Sequence, residues 1–562
     1  MNKLKIPIGI SDFKKIRENF SYYIDKTGLI EELIRTEVTE VTLITRPRRF
    51  GKSMGMSMLA NFFDISKDSR ELFEGLKVSK NKELCEAWMN QYPTVFFSFK
   101  EVDGLEFSVA YERLQCELSE LFVKYKYLLS SENVSEEDRN LFKRISFKNA
   151  SIGDVCQSLG FLTRILNAYY GKPVIVLIDE YDVPVSKANE NGYYREMLDI
   201  IRRILSKALK DNTSLKFAVV TGCLKITKES IFTGVNNFTT DTISDRRYNE
   251  YFGFTEEEVK KLLQDAGLED RFELVKQWYD GYRFGTLDIY CPWDVLNYVN
   301  KVITQGIVNP ENFWENTSGN GVIRQFLDKT EYDVTEKFET LLAGNYIKEA
   351  INENLTYDLM SSSEENLWNL LYMTGYLTKV KPEELEHGDR LEKGQTALRI
   401  PNVEVVDIFQ KSVVEWFRQK TFSSDRQELF EALWSGDAKK LTELLSDLLF
   451  DTISYYDYAE SFYHAFMTGL VLNAGYIVES NYENGLGRSD ITIKDRRNRR
   501  ALVIETKITS SEAEMEKACD AALQQIEELQ YARKVERSGF KKVIRYGIAF
   551  YKKECLVKTV DE

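Results

Sequence analysis

Three side chains near the C-terminus have the types and spacing needed to hold a divalent cation against a phosphate: Asp490 in SDITIK, and Glu505 and Lys507 in ALVIETK. Side chains on a strand alternate faces, so Glu505 and Lys507 share one face while Thr506 points the other way. A hairpin through the basic turn KDRRNRR would carry Asp490 to Glu505. Two carboxylates then make an oxygen site for Mg²⁺ or Mn²⁺, and such an ion lowers the pKa of a bound water and neutralises phosphate charge. Lys507 is placed to orient that water or to stabilise the phosphorus centre. Acidic and basic residues also alternate on ordinary exposed strands. The apolar run Leu502, Val503, Ile504 ahead of Glu505 argues instead for a buried strand that delivers its charges to a protected end.

A second constellation opens the chain. RPRRFGKS, from Arg46 to Ser53, keeps the last three residues of a P-loop and departs from it at the first glycine, where Arg46 stands. Arg49, Gly51, Lys52 and Ser53 are the phosphate-binding candidates. Gly51 lets backbone N–H groups approach an anion, Lys52 supplies a point charge, and Ser53 opens a helix and offers a hydroxyl to Mg²⁺. Downstream, VIVLIDEYD ends an apolar strand in Asp179 and Glu180. Asp179 is expected to hold Mg²⁺ together with Ser53, and Glu180 to polarise an attacking water. Thr221, at the end of KFAVVTG, is expected as the polar sensor beside the terminal phosphate. Asp182 and the Arg246–Arg247 pair are further candidates, although charges in such positions are usually solvated.

The elements that must hold these residues follow from patterning. VTLIT, TVFFSF, VIVLIDE and KFAVVTG are continuously apolar and separated by helical stretches, which predicts a parallel sheet buried on both faces. A long helical insertion is expected from Val109 to Leu166. Beyond Gly285 the chain turns helical and aromatic-rich, and Leu367 to Val405 reads as helix, GYLT, charged loop and ALRIPN, compatible with a winged-helix unit. The last part reads α-β-β-β-α-β, with a helix from Ala459 to Ala474, strands at YIVES, SDITIK and ALVIETK, a helix from Glu512 to Val535 and a strand at VIRYGIAFY. At 562 residues, 43% hydrophobic and 29% charged, several folded domains are expected, and no apolar run approaches the ~18 residues of a membrane span. A net charge of −14 repels nucleic acid and anionic membrane alike, so any nucleic-acid contact needs a local basic patch. Arg488, Arg496, Arg497, Arg499 and Arg500 could supply one, although a basic run is ordinarily a solvated turn. Seven cysteines without C-x-x-C spacing suggest reduced thiols in a cytoplasmic protein, and two histidines leave no zinc cluster.

Together these stretches resemble a known family, the bacterial AAA-ATPase-like proteins with a C-terminal PD-(D/E)XK nuclease superfamily domain. The resemblance is carried by YIDKTGLI, RPRRFGKS, LFEGL, LIDEYDVP, TGCLKITKESIFTGVNNF, YFGFTEEEV, WYDGYRFG, NTSGN, GYLT, IPN and GLGRSDI, in order along nearly the whole chain. It implies an α/β architecture: an AAA- or STAND-like P-loop domain (1–285), a helical middle region with a winged-helix-like part (286–454) and a restriction-endonuclease-like domain (455–562). It further implies ATP and Mg²⁺ as cofactors, Glu460 as a third metal carboxylate, and a polar position near the lysine that Gln524 matches; His464, one helical turn from Glu460, reads as a packing residue. The expected function is ATP-regulated cleavage of DNA or RNA. The alternative is a nucleotide-dependent switch or scaffold that binds nucleic acid or protein without cutting. A homo-oligomer is compatible with an AAA-like domain, and no membrane partner is expected.

Overall fold

The computed structural model describes residues 4–35, 39–225, 237–306, 309–314, 335–353, 363–385, 390–420, 427–452, 463, 466–468, 470–471, 476–484 and 487–560. The chain divides into two compact units, Met1–Ser318 with Glu349–Glu404, and Gly319–Lys348 with Val405–Glu562.

The first unit is organised by a five-stranded parallel sheet of β1 (Val41–Thr45), β2 (Thr94–Ser98), β3 (Val174–Asp179), β4 (Leu215–Gly222) and β5 (Phe238–Asp241), in the order β2-β3-β4-β1-β5. β1 and β3 are buried at every position, which explains why their sequences lack the alternation of a half-exposed strand. The helix Lys52–Phe63 follows β1 directly and buries Met56, Leu59, Phe62 and Phe63 in a cluster that includes Ile44, Ile175 and Leu177. Its N-terminus is thereby held over the carboxyl ends of the strands, where open α/β sheets bind their ligands. The expected insertion is three helices, Phe107–Lys124, Glu136–Ser146 and Ile152–Tyr170. The last begins at a Ser151–Asp154 capping box and stops at left-handed Gly171, the ends that capping physics favours.

A small antiparallel sheet follows, β6 (Phe254–Thr255), β7 (Tyr282–Phe284) and β8 (Leu287–Tyr290). Beyond β9 (Ile347–Ala350), the helix Glu364–Thr374 leads into an antiparallel pair, β10 (Thr378–Lys379) and β11 (Gln395–Arg399). The helix-then-hairpin order expected between Leu367 and Val405 is therefore present. Among the described residues no helix is long and apolar enough to cross a membrane.

The second unit carries a mixed sheet of β12 (Ile477–Asn484), β13 (Gly487–Asp495), β14 (Arg500–Ile508), β15 (Lys542–Tyr551) and β16 (Glu554–Thr559), in that order. β12, β13 and β14 form an antiparallel meander, β15 runs parallel to β14, and β16 returns antiparallel. The parallel step needs a crossover, which the helices Met515–Glu528 and Tyr531–Arg537 supply. Ala501 and Val503 on β14 pack under Ile526, Tyr531 and Val535, so the helices cover the β14 face that also carries Glu505. Gly547 allows the closest approach, since a Cβ there would stand 2.4 Å from the Cys519 carbonyl oxygen.

Candidate functional site

At the carboxyl end of the parallel sheet, Gly51 takes a left-handed conformation (φ 85°) as it leads into the Lys52–Phe63 helix, a geometry that costs glycine little. The Ser53 hydroxyl donates to Asp179 Oδ2 at 2.6 Å, and the Thr221 hydroxyl donates to Asp179 Oδ1 at 2.6 Å. Three strand or helix ends thus converge on one carboxylate. The Lys52 ammonium is buried and donates to the carbonyls of Arg46 and Pro47 at 2.8 and 2.9 Å, 3.5 Å from the Cys223 sulfur. Glu180 follows β3 with a positive φ of 52°. Burial raises its carboxyl pKa above the ordinary range, Lys52 opposes that rise, and Asp179 and Asp182 add to it. Asp182 is buried and accepts the N–H groups of Cys223 and Leu224 at 2.9 and 3.0 Å, so it braces the loop after β4.

The two arginines flanking this turn both find partners within the protein. Arg46 is fully buried: its guanidinium bonds Asp241 Oδ1 at 2.5 Å and the Thr45 carbonyl at 2.8 Å, between the rings of Phe252 and Phe284. The side chain that replaces the first P-loop glycine therefore turns into the protein and ties β1 to β5. Arg49 stacks on Trp293 at 4.2 Å, and Phe50 packs against Tyr282 and Phe284. Of the Arg246–Arg247 pair, Arg246 is exposed and Arg247 lies over the Tyr248 ring at 4.7 Å.

In the second unit, β13 and β14 do form the expected hairpin, paired from Asp495↔Arg500 to Ile491↔Ile504. One step further, the Asp490 N–H donates to Glu505 Oε2 at 3.4 Å. The Thr506 N–H lies beyond the paired stretch, and Asp490 Oδ2 accepts it at 2.8 Å together with the Thr506 hydroxyl at 2.8 Å. Glu505 is buried at 1% exposure, and Lys507 donates to its Oε1 at 3.5 Å. Burial raises the Glu505 pKa to about 7, with a further upward push from Asp490 that Lys507 opposes. A desolvated carboxylate beside a second one is stabilised by a proton or a cation, so this all-oxygen donor pair suits a hard divalent ion. Among the described residues, no group of three or more His, Cys, Asp and Glu side chains is close enough to hold a metal.

Most expected residues are thus brought together: Ser53, Asp179 and Thr221 in the first unit, with Gly51, Lys52 and Glu180 beside them, and Asp490, Glu505 and Lys507 in the second. Glu460 and His464 lie outside the described residues, as does the side chain of Arg488. Gln524 is corrected: its amide donates to Glu528 on the exposed side of the helix, and the neighbouring Gln525 donates to Glu505 Oε1. The rotation of a helix about its axis decides between adjacent residues, and the apolar spacing Cys519, Ala522, Ile526 was the signal that put Gln525 on the inner side. Thr506, which the alternation of the strand sets on the other face, positions Asp490. Cys223 beside Lys52 and Asp241 beneath Arg46 carried no local motif and were missed.

Family models match both halves of this geometry: one described as "Predicted AAA-ATPase" over residues 7–232, and one described as "PD-(D/E)XK nuclease superfamily" over residues 458–560. The chain joins an AAA-ATPase-like domain to a PD-(D/E)XK superfamily domain. A curated relative, described as an uncharacterized protein in the vnfD 5' region of Azotobacter chroococcum mcd 1, is 28% identical over 458 residues, 79% of this chain and 77% of the relative. A solved structure of the Aeropyrum pernix ORC2 protein (ADPNP-ADP complexes) aligns over 69% of this chain and 95% of its own at 13% identity and a TM-score of 0.25, too low to inform the fold. In the AAA-ATPase-like domain, the carboxyl-end crevice of the parallel sheet carries the Ser53–Asp179–Thr221 cluster. In the PD-(D/E)XK domain, Asp490, Glu505 and Lys507 meet where β13 and β14 part.

Proposed function

We propose that the protein binds ATP with Mg²⁺ at the P-loop, and that nucleotide state gates metal-dependent cleavage of DNA or RNA phosphodiester bonds by the PD-(D/E)XK domain. The observation that carries the reading is the buried Glu505 carboxyl, beside Asp490 and within 3.5 Å of the Lys507 ammonium. A bound divalent ion would polarise the scissile phosphate and lower the pKa of an attacking water. Asp490 and Glu505 would hold it, with Glu460 as the proposed third ligand. Thr506 keeps the Asp490 carboxylate in place through two hydrogen bonds, and Gln525 holds Glu505 through one. Lys507 would direct its ammonium toward the reacting phosphate or the water.

In the ATPase half, Ser53 and Asp179 would hold Mg²⁺, Lys52 would exchange its bonds to the loop carbonyls for phosphate oxygens, and Thr221 would sense the terminal phosphate. Glu180 would accept a proton from the attacking water, a task that its raised pKa suits. Arg49, stacked on Trp293, would stay beside the nucleotide as part of the turn that Gly51 completes.

The test is release of labelled ends from single- and double-stranded DNA and RNA with Mg²⁺ or Mn²⁺. Wild type should exceed an Asp490→Ala, Lys507→Ala double variant by at least ~100-fold. Equal rates on every substrate would remove the cutting claim. Nucleic-acid retention without cutting, with ATP binding lost in Lys52→Ala, would instead favour a switch or scaffold.

A further inference from the structure

The β13–β14 turn is more than a solvated loop. Asp495 spends its carboxylate inside the turn, accepting Asn498 N at 3.1 Å, Asn498 Nδ2 at 2.8 Å and Arg500 Nε at 2.9 Å. Arg500 also lies over the Trp434 ring at 4.2 Å, and Lys541 N donates to the Arg499 carbonyl at 2.8 Å, locking the start of β15 to the turn. What remains pointing outward is a set of exposed cations: Arg496, Arg497, Arg499 and Lys541. Among the described residues none of the four has a carboxylate partner, and the one local acid is already committed to Asn498 and Arg500.

Like charges held together on an ordered scaffold repel, and the turn's own hydrogen bonds need none of these four side chains. In a chain of net charge −14, such a cluster forms a local patch of the sign opposite to the molecule's overall charge. Guanidinium forks on a fixed turn match phosphate oxygens. The turn also leads directly into β14, the strand that bears Glu505 and Lys507. Arg500 and Glu505 are five residues apart on β14, about 17 Å along the strand, or roughly five steps of a nucleic-acid strand at ~3.4 Å per step.

We propose that the Arg496–Arg499 turn with Lys541 binds the backbone of a nucleic acid and anchors substrate at a distance from the carboxylate centre. The choice of nucleic acid as the polyanion rests on the cleavage reading above, but the binding itself can be measured without any cutting. The probe is a fluorescently labelled DNA duplex of a few helical turns, bound to the full-length chain in excess chelator, from low to physiological salt. The variant is Arg496→Ser, Arg497→Ser, Arg499→Ser, Lys541→Ser, with Arg496→Gln, Arg497→Gln as a milder second.

Affinity should fall at least about tenfold in the fourfold variant, and the slope of log affinity against log salt should become shallower by roughly 0.9 for each phosphate that is no longer neutralised. ATP affinity and thermal midpoint should be unchanged, because all four side chains are exposed. Unchanged affinity and slope in both variants would overturn the proposal. So would poly-glutamate binding through the turn as tightly as the duplex, which would point to an acidic protein partner. If the wild type fails to cut any substrate with Mn²⁺ yet loses duplex affinity on neutralisation of the turn, the anchoring role stands and only the cleavage reading falls.

Discussion

Glu505 concentrates the chemistry of the C-terminal unit in one carboxyl group. Burial first, and Asp490 second, raise its pKa from the ordinary carboxylate range to about 7. The sign follows directly: between roughly pH 4.3, where a carboxyl in an unfolded chain ionises, and about 7, the folded metal-free protein retains a proton that the unfolded chain releases. Stability of the metal-free C-terminal unit should therefore decline as pH rises through that window. A divalent ion replaces the proton, so apparent Mn²⁺ affinity should rise up to about tenfold per pH unit below 7 and level off above it. Calorimetric titration from pH 5.5 to 8.5 checks this, and Glu505→Gln should remove both the binding and its pH dependence. Thr506 has a side chain whose type suggests no role in such a centre. Its position just beyond the paired stretch makes it the residue that orients Asp490.

Strands and helices decide whether such groups meet at all. β13 and β14 were readable because the alternating isoleucines Ile491 and Ile493 and the apolar run Leu502–Ile504 flank a basic turn, and their register then followed from the turn length. Which glutamine of the Met515–Glu528 helix faced Glu505 depended on the helix's rotation over the sheet, and that is set by close packing. Gly547 is where that packing is tightest. A methyl group there would meet the Cys519 carbonyl at 2.4 Å and the Leu523 side chain at 3.0 Å. Gly547→Ala should cost about 1–3 kcal/mol, read as a lower denaturation midpoint. Because the helix would be pushed off β15, Gln525 should also lose its hold on Glu505, and metal affinity should fall with stability. A variant of undiminished stability would show that helix and strand part more easily than their spacing implies.

Across the first unit, the least expected feature is a pair of buried carboxyls that belong to neither proposed site. Asp294 follows the N-cap Cys291 of the helix Pro292–Gln305, and Glu404 accepts Phe313 N at 2.5 Å and Trp314 N at 3.0 Å. Both are fully buried, and the charge of Asp294 acts on Glu404; two desolvated carboxyls side by side do not both ionise, so the pair keeps a shared proton. Burial, with Asp294 alongside, holds Glu404 far above the ordinary carboxylate range. At neutral pH the unfolded chain ionises Glu404 and the folded one does not, so this unit should lose stability steadily as pH rises above about 4.3. Its unfolding midpoint in urea should be higher at pH 5 than at pH 9, and Glu404→Gln should flatten that difference while preserving the bonds to Phe313 and Trp314. An equal slope in wild type and variant would refute the shared proton.

The apolar strands of the parallel sheet, the Gly-Lys-Ser helix start, the acidic end of β3 and the D…E-x-K spacing were readable directly from residue order, because each depends on a local periodicity or on neighbours a few positions apart. The partner of Arg46, the inward glutamine, the role of Thr506 and the Asp294–Glu404 pair were not. Each depends on groups brought together from distant positions in the chain, or on the angle at which a helix settles on a sheet. Close packing and the desolvation of charge select those arrangements, and neither acts until the chain has folded.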